Sequence, residues 1–235
     1  MKPDMTFRPR DWEAHPPLLF PAYRSTLLRA PKQPLIPLPQ GLGERTGPVY
    51  GHRAIGDLDA DLTRNGAVNG EPLGERIIIC GRVLDESGRP VPETLVEIWQ
   101  ANAAGRYIHR KDQHHAPLDP NFFGAGRCVT DAEGNYRFVS VRPGAYPWKN
   151  HHNAWRPPHI HFSLFGPSFV TRLVTQMYFP GDPLLAHDPI FQSVPAFARS
   201  RLVAEFSLDV TVPEEALGYR FDIVLRGPRE TPMEG

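Results

Sequence analysis

Long apolar runs are missing from this sequence of 235 residues. No run approaches the roughly 20 apolar residues that a membrane-spanning helix needs, so we expect no membrane partner. The first residues, MKPDMTFRPRDWEAH, carry acidic side chains and no apolar centre, which argues against a secretory signal. We therefore predict a soluble, cytoplasmic protein.

The sequence also has no excess of either sign of charge and little cysteine. Lys and Arg together number 26, as do Asp and Glu, so the formal net charge is zero. Balanced charge predicts no basic face for nucleic acid, and function must then come from a local site. The two cysteines, Cys80 and Cys128, form neither a disulfide framework nor a zinc site with paired thiolates. We predict that both are free, buried thiols.

Proline, in contrast, is abundant: the chain has 27, and many fall in the first 70 positions. Proline at this density excludes long helices and central strands. Leu, Phe and Tyr are interleaved with it in stretches such as HPPLLFPAY, which is not typical of a solvated tail. We predict that residues 1–70 form an extended arm that packs on the rest of the chain or on a partner, and that residues 71–235 form the domain that carries the site.

Short runs rich in β-branched and aromatic residues begin near residue 75 and alternate with turn sequences such as ESGRP, DAEGN and RPGAYP. They predict eight strands, at 75–84, 94–101, 126–130, 135–141, 159–165, 172–179, 201–210 and 219–226. No regular helices separate these strands. The pattern therefore predicts an all-β fold, an antiparallel β-sandwich of about eight strands with little helix. One or two helical turns are expected within 182–194.

Two histidines, His159 and His161, lie two residues apart in the predicted strand HIHFSLF. Side chains at positions i and i+2 of a strand share one face, so both imidazoles project together. A pair of half-exposed histidines on a sheet surface is the alternative interpretation. Imidazole binds zinc, copper and iron, so the pair alone leaves the identity of a metal open.

A buried metal needs further ligands, and the nearby sequence offers few. Asp131, Glu133 and Asp182 lie in turn sequences that explain them without a metal. Tyr107 and Tyr146 each follow a predicted strand in a glycine-containing loop, where packing with a hydrogen-bonded hydroxyl is the alternative. Six more histidines lie in predicted loops and are expected to have no metal role: His109, His114, His115, His151, His152 and His187.

Two longer stretches resemble the intradiol ring-cleavage dioxygenases. The first is ICGRVLDESGRPVPETLVEIWQANAAGRY, whose matching positions are Ile79, Gly81, Val83, Gly88, Val91, Val96, Glu97, Ile98, Gly105 and Tyr107. The second combines DAEGNYRFVSVRPGAYPW with WRPPHIHF. Together with the N-terminal arm and the chain length, these stretches extend the resemblance over nearly the whole chain.

The resemblance implies a non-haem Fe(III) held by two tyrosinates and two histidines, which map to Tyr107, Tyr146, His159 and His161. Phenolate is a hard anionic donor and suits Fe(III) better than zinc. The implied reaction cleaves a catechol ring with O2 between its two hydroxylated carbons. Tyr146 would leave the metal when substrate binds and accept a substrate proton. Arg156 would stabilise the carbanion-like substrate by electrostatic preorganisation.

Five further positions match pocket residues of the family: Tyr23, Trp99, Trp148, Gln176 and Ile190. The two tryptophans would form aromatic walls, although structural packing is an equal alternative for Trp99. Gln176 and Ile190 would lie near oxygen and substrate. Tyr23 would help to hold a substrate carboxylate.

The family includes enzymes for several catechols. Catechol and hydroxyquinol dioxygenases share the ligand motifs, but they are longer and begin with a helical segment instead of a proline-rich arm. A catecholic acid is therefore the expected substrate, with O2. The resemblance also implies a partner, an α subunit of the same fold that lacks the iron ligands. A non-enzymatic β-sandwich remains the alternative, and the complete ligand set argues against it.

Overall fold

The computed structural model describes residues 11–36, 54–166 and 169–234. Eleven strands lie in these residues: β1 (Arg76–Leu84), β2 (Leu95–Trp99), β3 (Ala125–Val129), β4 (Asn135–Val141), β5 (Tyr146–Pro147), β6 (Trp155–Arg156), β7 (His159–Gly166), β8 (Phe169–Tyr178), β9 (Glu205–Phe206), β10 (Leu217–Arg220) and β11 (Ile223–Val224). The helices are α1 (Thr26–Arg29) and α2 (Pro189–Ser193), with 3₁₀ turns at Trp12–Ala14, Pro183–Ala186 and Arg199–Leu202. The all-β class with little helix and the helical turns within 182–194 are confirmed.

Two sheets build the sandwich. The first is antiparallel and has the strand order β3-β2-β7-β8. In the second, β1 pairs antiparallel with β4 on one side and parallel with β10 and β11 on the other, and β9 follows β10. This second sheet is mixed, whereas the sequence predicted antiparallel pairing throughout. Parallel pairing needs a long crossover, and here the chain between β1 and β10 includes the whole first sheet.

The core lies between the facing sides of the two sheets. On β7, Ile160, Phe162 and Leu164 are fully buried in the core cluster. Because side chains alternate along a strand, His159 and His161 project from the opposite face of the first sheet. Burial of each apolar side chain contributes about 1.5–3 kcal/mol, so this register of β7 is strongly held. The strand thus presents both histidines away from the core.

Two predicted strands differ from the observed structure. Residues 201–210 contribute only the short strand β9, because the amides of Val210 and Thr211 turn back and donate to the carbonyl of Ser207. The predicted strand 219–226 is divided into β10 and β11. Between them the Asp222 carboxylate accepts the amide of Arg82 at 2.9 Å, and a side chain thus replaces a backbone partner in the ladder.

The described part of the N-terminal arm contacts the sandwich near β5 and β6. The amide of Arg24 donates to the side-chain oxygen of Asn150 at 2.9 Å, and the Asn150 amide group donates to the carbonyl of Ala22 at 2.8 Å. Residues 1–10 and 37–53 of the predicted arm lie outside the described residues, and the boundary at residue 70 stays a prediction. Cys80 and Cys128 are free and partly buried, and burial raises the pKa of Cys128 to about 12.

Within the described ranges, no helix has the length and apolar character needed to cross a bilayer. The cellular location predicted from the sequence stays a prediction.

Candidate metal centre

Four aromatic side chains converge on the outer face of the first sheet. The ring centres of Tyr107 and Tyr146 lie 5.4 Å apart, and those of Tyr146 and His159 lie 5.6 Å apart. The ring centres of His159 and His161 lie 4.8 Å apart, and those of His161 and Tyr107 lie 6.4 Å apart. These four side chains form a closed ring of contacts, which we call the ligand circuit. The structure therefore brings together all four ligand residues predicted from the sequence. They come from one loop, from β5 and from β7.

In both histidines Nδ1 lies near an oxygen acceptor. Nδ1 of His159 lies 2.7 Å from the carbonyl of Pro157, and Nδ1 of His161 lies 3.2 Å from the Glu234 carboxylate. Oxygen acceptors at Nδ1 place the proton there and leave a lone pair on Nε2 of each ring. In His159 this nitrogen lies 3.2 Å from the guanidinium Nη1 of Arg156, a donor that a bound metal would displace. Burial, Arg156 and His161 lower the pKa of His159 well below its usual value, so its imidazole is neutral.

The tyrosines supply hydroxyl groups to the same space. The hydroxyl of Tyr107 is buried and has no hydrogen-bond partner among the described residues. Leaving such a group unsatisfied costs about 1–3 kcal/mol. Burial and the neighbouring Tyr146 raise the pKa of Tyr107, and burial raises the pKa of Tyr146 against the opposing effect of Arg156. A bound cation would satisfy the orphaned oxygen and favour the phenolate form.

This donor set fits a hard, highly charged metal. In the part of the chain that the structure describes, no group of three or more His, Cys, Asp and Glu side chains is placed to bind a metal ion. A carboxylate-based ferrous site or a thiolate-based zinc site is therefore not formed by these residues. Two imidazoles and two phenols are the donors that the site offers, and phenolate suits trivalent iron.

Gly105 allows the loop that carries Tyr107 to pack against the backbone beside Tyr146. Its φ of +77° is in the left-handed region, and a Cβ there would clash with the carbonyl oxygen of Ala145 and lie 3.3 Å from Cβ of Tyr146. The loop that carries Tyr107 thus packs directly on the backbone beside Tyr146. Glycine is required at this position both for its conformation and for the close approach.

We expect Gly105→Ala to lower the free energy of unfolding by about 1–3 kcal/mol more than Gly88→Ala, because only the former adds a clash. Gly88 is a matched control, since it has the same φ of +77° and no atom within 4 Å of the point where a Cβ would lie. Urea denaturation of the purified variants measures the difference. Metal content should fall in the Gly105 variant alone. Equal destabilisation by the two substitutions would contradict the packing role.

Arg156 lies beside the circuit and is almost completely buried, with 3% of its surface exposed. Its Nη1 lies 3.2 Å from Nε2 of His159. On the other side, Nη2 donates to Asp188 at 2.9 Å, to the side-chain oxygen of Gln176 at 2.6 Å and to the hydroxyl of Tyr178 at 3.0 Å. These contacts fix the guanidinium in one orientation, which is a requirement for electrostatic preorganisation.

A cleft of about 720 Å³ opens next to the circuit. Trp99 and Trp148 line it together with Tyr107 and Tyr146. The ring of Trp99 also stacks on His161, with centres 4.7 Å apart and planes 3° apart, so this residue has a packing role as well as a wall position.

Three predicted pocket residues lie outside this cleft lining. Tyr23, from the arm, contacts Trp148 with ring centres 5.6 Å apart. Gln176 is buried behind Arg156, and Ile190 is buried on α2. The structure therefore brings Tyr23 against Trp148, a residue of the cleft lining, and places Gln176 against the arginine.

The rim of the cleft is rich in cationic and titratable side chains. It includes Lys111, Lys149, His109, His114 and His115, with Asp112 as the acid among them. Asp112 is engaged locally, since its carboxylate accepts the amide of Tyr107 at 2.8 Å and that of His114 at 2.8 Å. The rim thus favours an anionic molecule.

Sequence reasoning missed Asp188 and Glu234. Asp188 is fully buried, pairs with Arg156 and also accepts the amide of Ile190 at the start of α2. An Asp before Pro is typical of a helix N-cap, and this pattern hides the second role. Glu234 contacts His161 from a segment with no recognisable motif. Only the tertiary structure identifies these two carboxylates.

The chain matches two family profiles. The family described as Dioxygenase matches residues 45–227, and the one described as Protocatechuate 3,4-dioxygenase beta subunit N terminal matches residues 8–41. The first match covers more than half of the chain. The chain therefore belongs to the dioxygenase family, the iron-dependent intradiol ring-cleavage enzymes.

Comparison with individual proteins shows how similar this chain is to particular dioxygenases. The chain is 66% identical over 226 residues to the protocatechuate 3,4-dioxygenase beta chain of Burkholderia cepacia, and the alignment covers 96% of each chain. It is 31% identical over 161 residues to the alpha chain from the same organism, covering 67% of this chain and 76% of that one. The crystal structure of 3-chlorocatechol 1,2-dioxygenase from Rhodococcus opacus 1CP shares the fold, with a TM-score of 0.54, 21% identity and coverage of 70% of this chain and 66% of that one.

Proposed function

We propose that this chain is the iron-bearing β subunit of a protocatechuate 3,4-dioxygenase. The reaction joins 3,4-dihydroxybenzoate and O2 to form 3-carboxy-cis,cis-muconate, and both oxygen atoms enter the product. The observation that carries the proposal is the convergence of two phenols and two imidazoles beside a buried arginine. The 66% identity to a β chain, over 96% of each chain, supports the same conclusion.

In this proposal Tyr107, Tyr146, His159 and His161 hold a ferric ion. When bound, that ion would supply Lewis-acid activation of the catechol ring towards O2. Tyr146 would be the ligand that gives way to substrate. Phenol has a pKa of about 10, so the released phenolate is basic enough to accept a proton from a catechol hydroxyl.

Arg156 supplies positive charge where the ring develops negative charge. Its guanidinium is already desolvated and held by Asp188, Gln176 and Tyr178, so little reorganisation is needed during the reaction. We propose that Gln176 acts by fixing Arg156. Ile190 follows Asp188 on α2 and would support the same pocket wall.

The cleft favours a catecholic acid over a neutral catechol. Trp99 and Trp148 would enclose the ring, and Lys111 and Lys149 at the rim favour the carboxylate. Tyr23 contacts Trp148, and its hydroxyl is proposed to hold the carboxylate.

We propose an α subunit as the partner. The chain is similar to α chains as well as to a β chain, which is typical of paired subunits with a common fold. The described part of the arm also exposes many large apolar side chains, as expected of a surface that a partner covers. They are Trp12, Leu18, Leu19, Leu27, Leu28, Leu35 and Ile36.

The proposal is tested by oxygen uptake with the iron-loaded αβ complex. We expect uptake with protocatechuate to exceed uptake with catechol by at least about 10-fold in kcat/KM, equivalent to about 1.4 kcal/mol. One O2 should be consumed for each carboxymuconate formed, measured by its ultraviolet absorbance. The β chain without α should be inactive. Equal or faster turnover of catechol would instead identify a catechol enzyme, and no uptake with either substrate would reject the proposal.

A further inference from the structure

The C-terminal strap, residues 230–234, is bound to both sheets. The amide of Thr231 donates to the carbonyl of Val224 on β11 at 2.8 Å. The carbonyl of Pro232 accepts the hydroxyl of Thr175 on β8 at 2.7 Å. Thr231 is buried, as is Thr175. These contacts carry the strap from β11 of the second sheet to β8 of the first.

The strap ends at the candidate iron site. The amide of Glu234 donates to the carbonyl of Val174 at 2.7 Å, which fixes its backbone beside β8. Its carboxylate then reaches Nδ1 of His161 at 3.2 Å. His161 is therefore constrained by Trp99, which stacks on its face, and by Glu234, which engages its edge. Stacking restricts the plane of the ring, and the carboxylate determines which nitrogen carries the proton.

The N-terminal arm holds the strap from the outside. The side chains of His15 and Glu230 are both buried, and Nε2 of His15 lies 3.2 Å from Oε1 of the Glu230 carboxylate without a hydrogen bond between those two atoms. Nδ1 of the same histidine accepts the amide of Met233 at 3.0 Å. The amide of Asp11 donates to the Glu230 carboxylate at 3.2 Å. One histidine of the arm thus contacts both ends of the strap.

We propose that Glu234 is a positioning residue for the iron site. The strap that presents it is held to the arm by the hydrogen bonds from Met233 to His15 and from Asp11 to Glu230. The proposal depends on the proposed function, because it assigns His161 as an iron ligand. A carboxylate on Nδ1 orients the imidazole, fixes the proton there and makes Nε2 a better donor. Loss of such a partner typically lowers metal affinity by about 10- to 100-fold.

The test compares Glu234→Ala and Glu234→Gln with wild type in the iron-loaded αβ complex. Glu205→Ala is the control, since Glu205 is an exposed carboxylate on β9 that makes none of the strap contacts described above. Iron transfer to a competing chelator gives relative affinity, and visible absorbance reports the tyrosinate-to-iron band. We expect about 10- to 100-fold weaker iron binding in Glu234→Ala. A smaller loss is expected in Glu234→Gln, whose amide oxygen still accepts from Nδ1. Glu205→Ala should match wild type.

The melting temperature of the iron-free complexes separates positioning from general stability. We expect all variants to melt within a few degrees of wild type when iron is absent. Wild-type iron affinity in both Glu234 variants would overturn the inference, as would a loss of affinity that parallels a large fall in iron-free melting temperature. If Glu234→Ala does not fold, the Gln variant decides. Failure of the wild-type complex itself to bind iron would reject the proposed function, a result distinct from the other outcomes.

Discussion

Arg156→Ser is expected to reduce kcat by about 10²–10³-fold while iron and colour are retained, as for loss of a preorganised donor at an oxyanion site. The guanidinium is adjacent to the ligand circuit without being part of it: its Nη1 lies 3.2 Å from Nε2 of His159. Serine removes the positive charge and leaves the four donors. Steady-state oxygen uptake and the visible spectrum of the αβ complex measure the two effects separately.

The buried partner of Arg156 complicates this substitution. Asp188 is fully buried, and removing one member of a buried ion pair typically costs about 3–5 kcal/mol of stability. Asp188→Asn in the same chain removes the uncompensated charge and should restore most of the stability without restoring turnover. Arg156→Lys keeps the charge but loses the fork that contacts several acceptors, so it should recover only part of kcat.

Arg127→Ser serves as the control for losing an arginine from an ion pair. Arg127 pairs with Asp59 at 2.7 Å, but it is 38% exposed and does not line the cleft beside the ligand residues. Its turnover should match wild type. Near-normal kcat in Arg156→Ser would remove that residue from the mechanism, and recovery of kcat in the Arg156→Ser/Asp188→Asn double variant would reduce it to a structural role.

His159→Ala should remove both the iron and the activity. Its ring is buried and oriented by the carbonyl of Pro157, so no solvent-exposed side chain can take its place. We expect iron affinity to fall by more than the roughly 100-fold upper range for loss of an outer-shell partner, because a direct ligand is lost. Iron per αβ unit and visible absorbance measure the change.

His114→Ala is the matched control for His159→Ala. His114 lies at the rim of the cleft, with its ring 6.1 Å from that of Trp155, and is not part of the ligand circuit. The control complex should retain full iron and colour. Full iron occupancy in His159→Ala, or equal loss in the two variants, would contradict the ligand assignment.

Elementary periodicity predicted part of this architecture. The i, i+2 spacing of His159 and His161 placed both rings on one face, and the buried Ile160 between them confirms the register. Six predicted strands match observed ones within a few residues. The pairing direction of β10 and β11 was not predictable, because a strand pattern does not encode which neighbour it meets. Asp222 interrupts the last strand through a side-chain contact that is also invisible in the pattern.

The spacing of residues in the sequence predicted less of the site than of the fold. Tyr107, in a loop, and Tyr146, on β5, are 39 positions apart, and only the resemblance to a family linked them to the histidines. Gly105 explains physically why the two segments meet, but its partner Ala145 is known only from the fold. Asp188 and Glu234 act on Arg156 and His161 across long sequence separations. Such contacts depend on the completed fold and have no local signal.

The most direct test of the central claim is an anomalous difference map, recorded at the iron absorption edge from crystals of the iron-loaded αβ complex. One peak per β chain should lie at roughly 2 Å from the two imidazole Nε2 atoms and at a similar distance from the two phenolate oxygens of the circuit. Those donors belong to His159, His161, Tyr107 and Tyr146. A map with no peak among these side chains, or with iron bound elsewhere in the chain, would contradict the account.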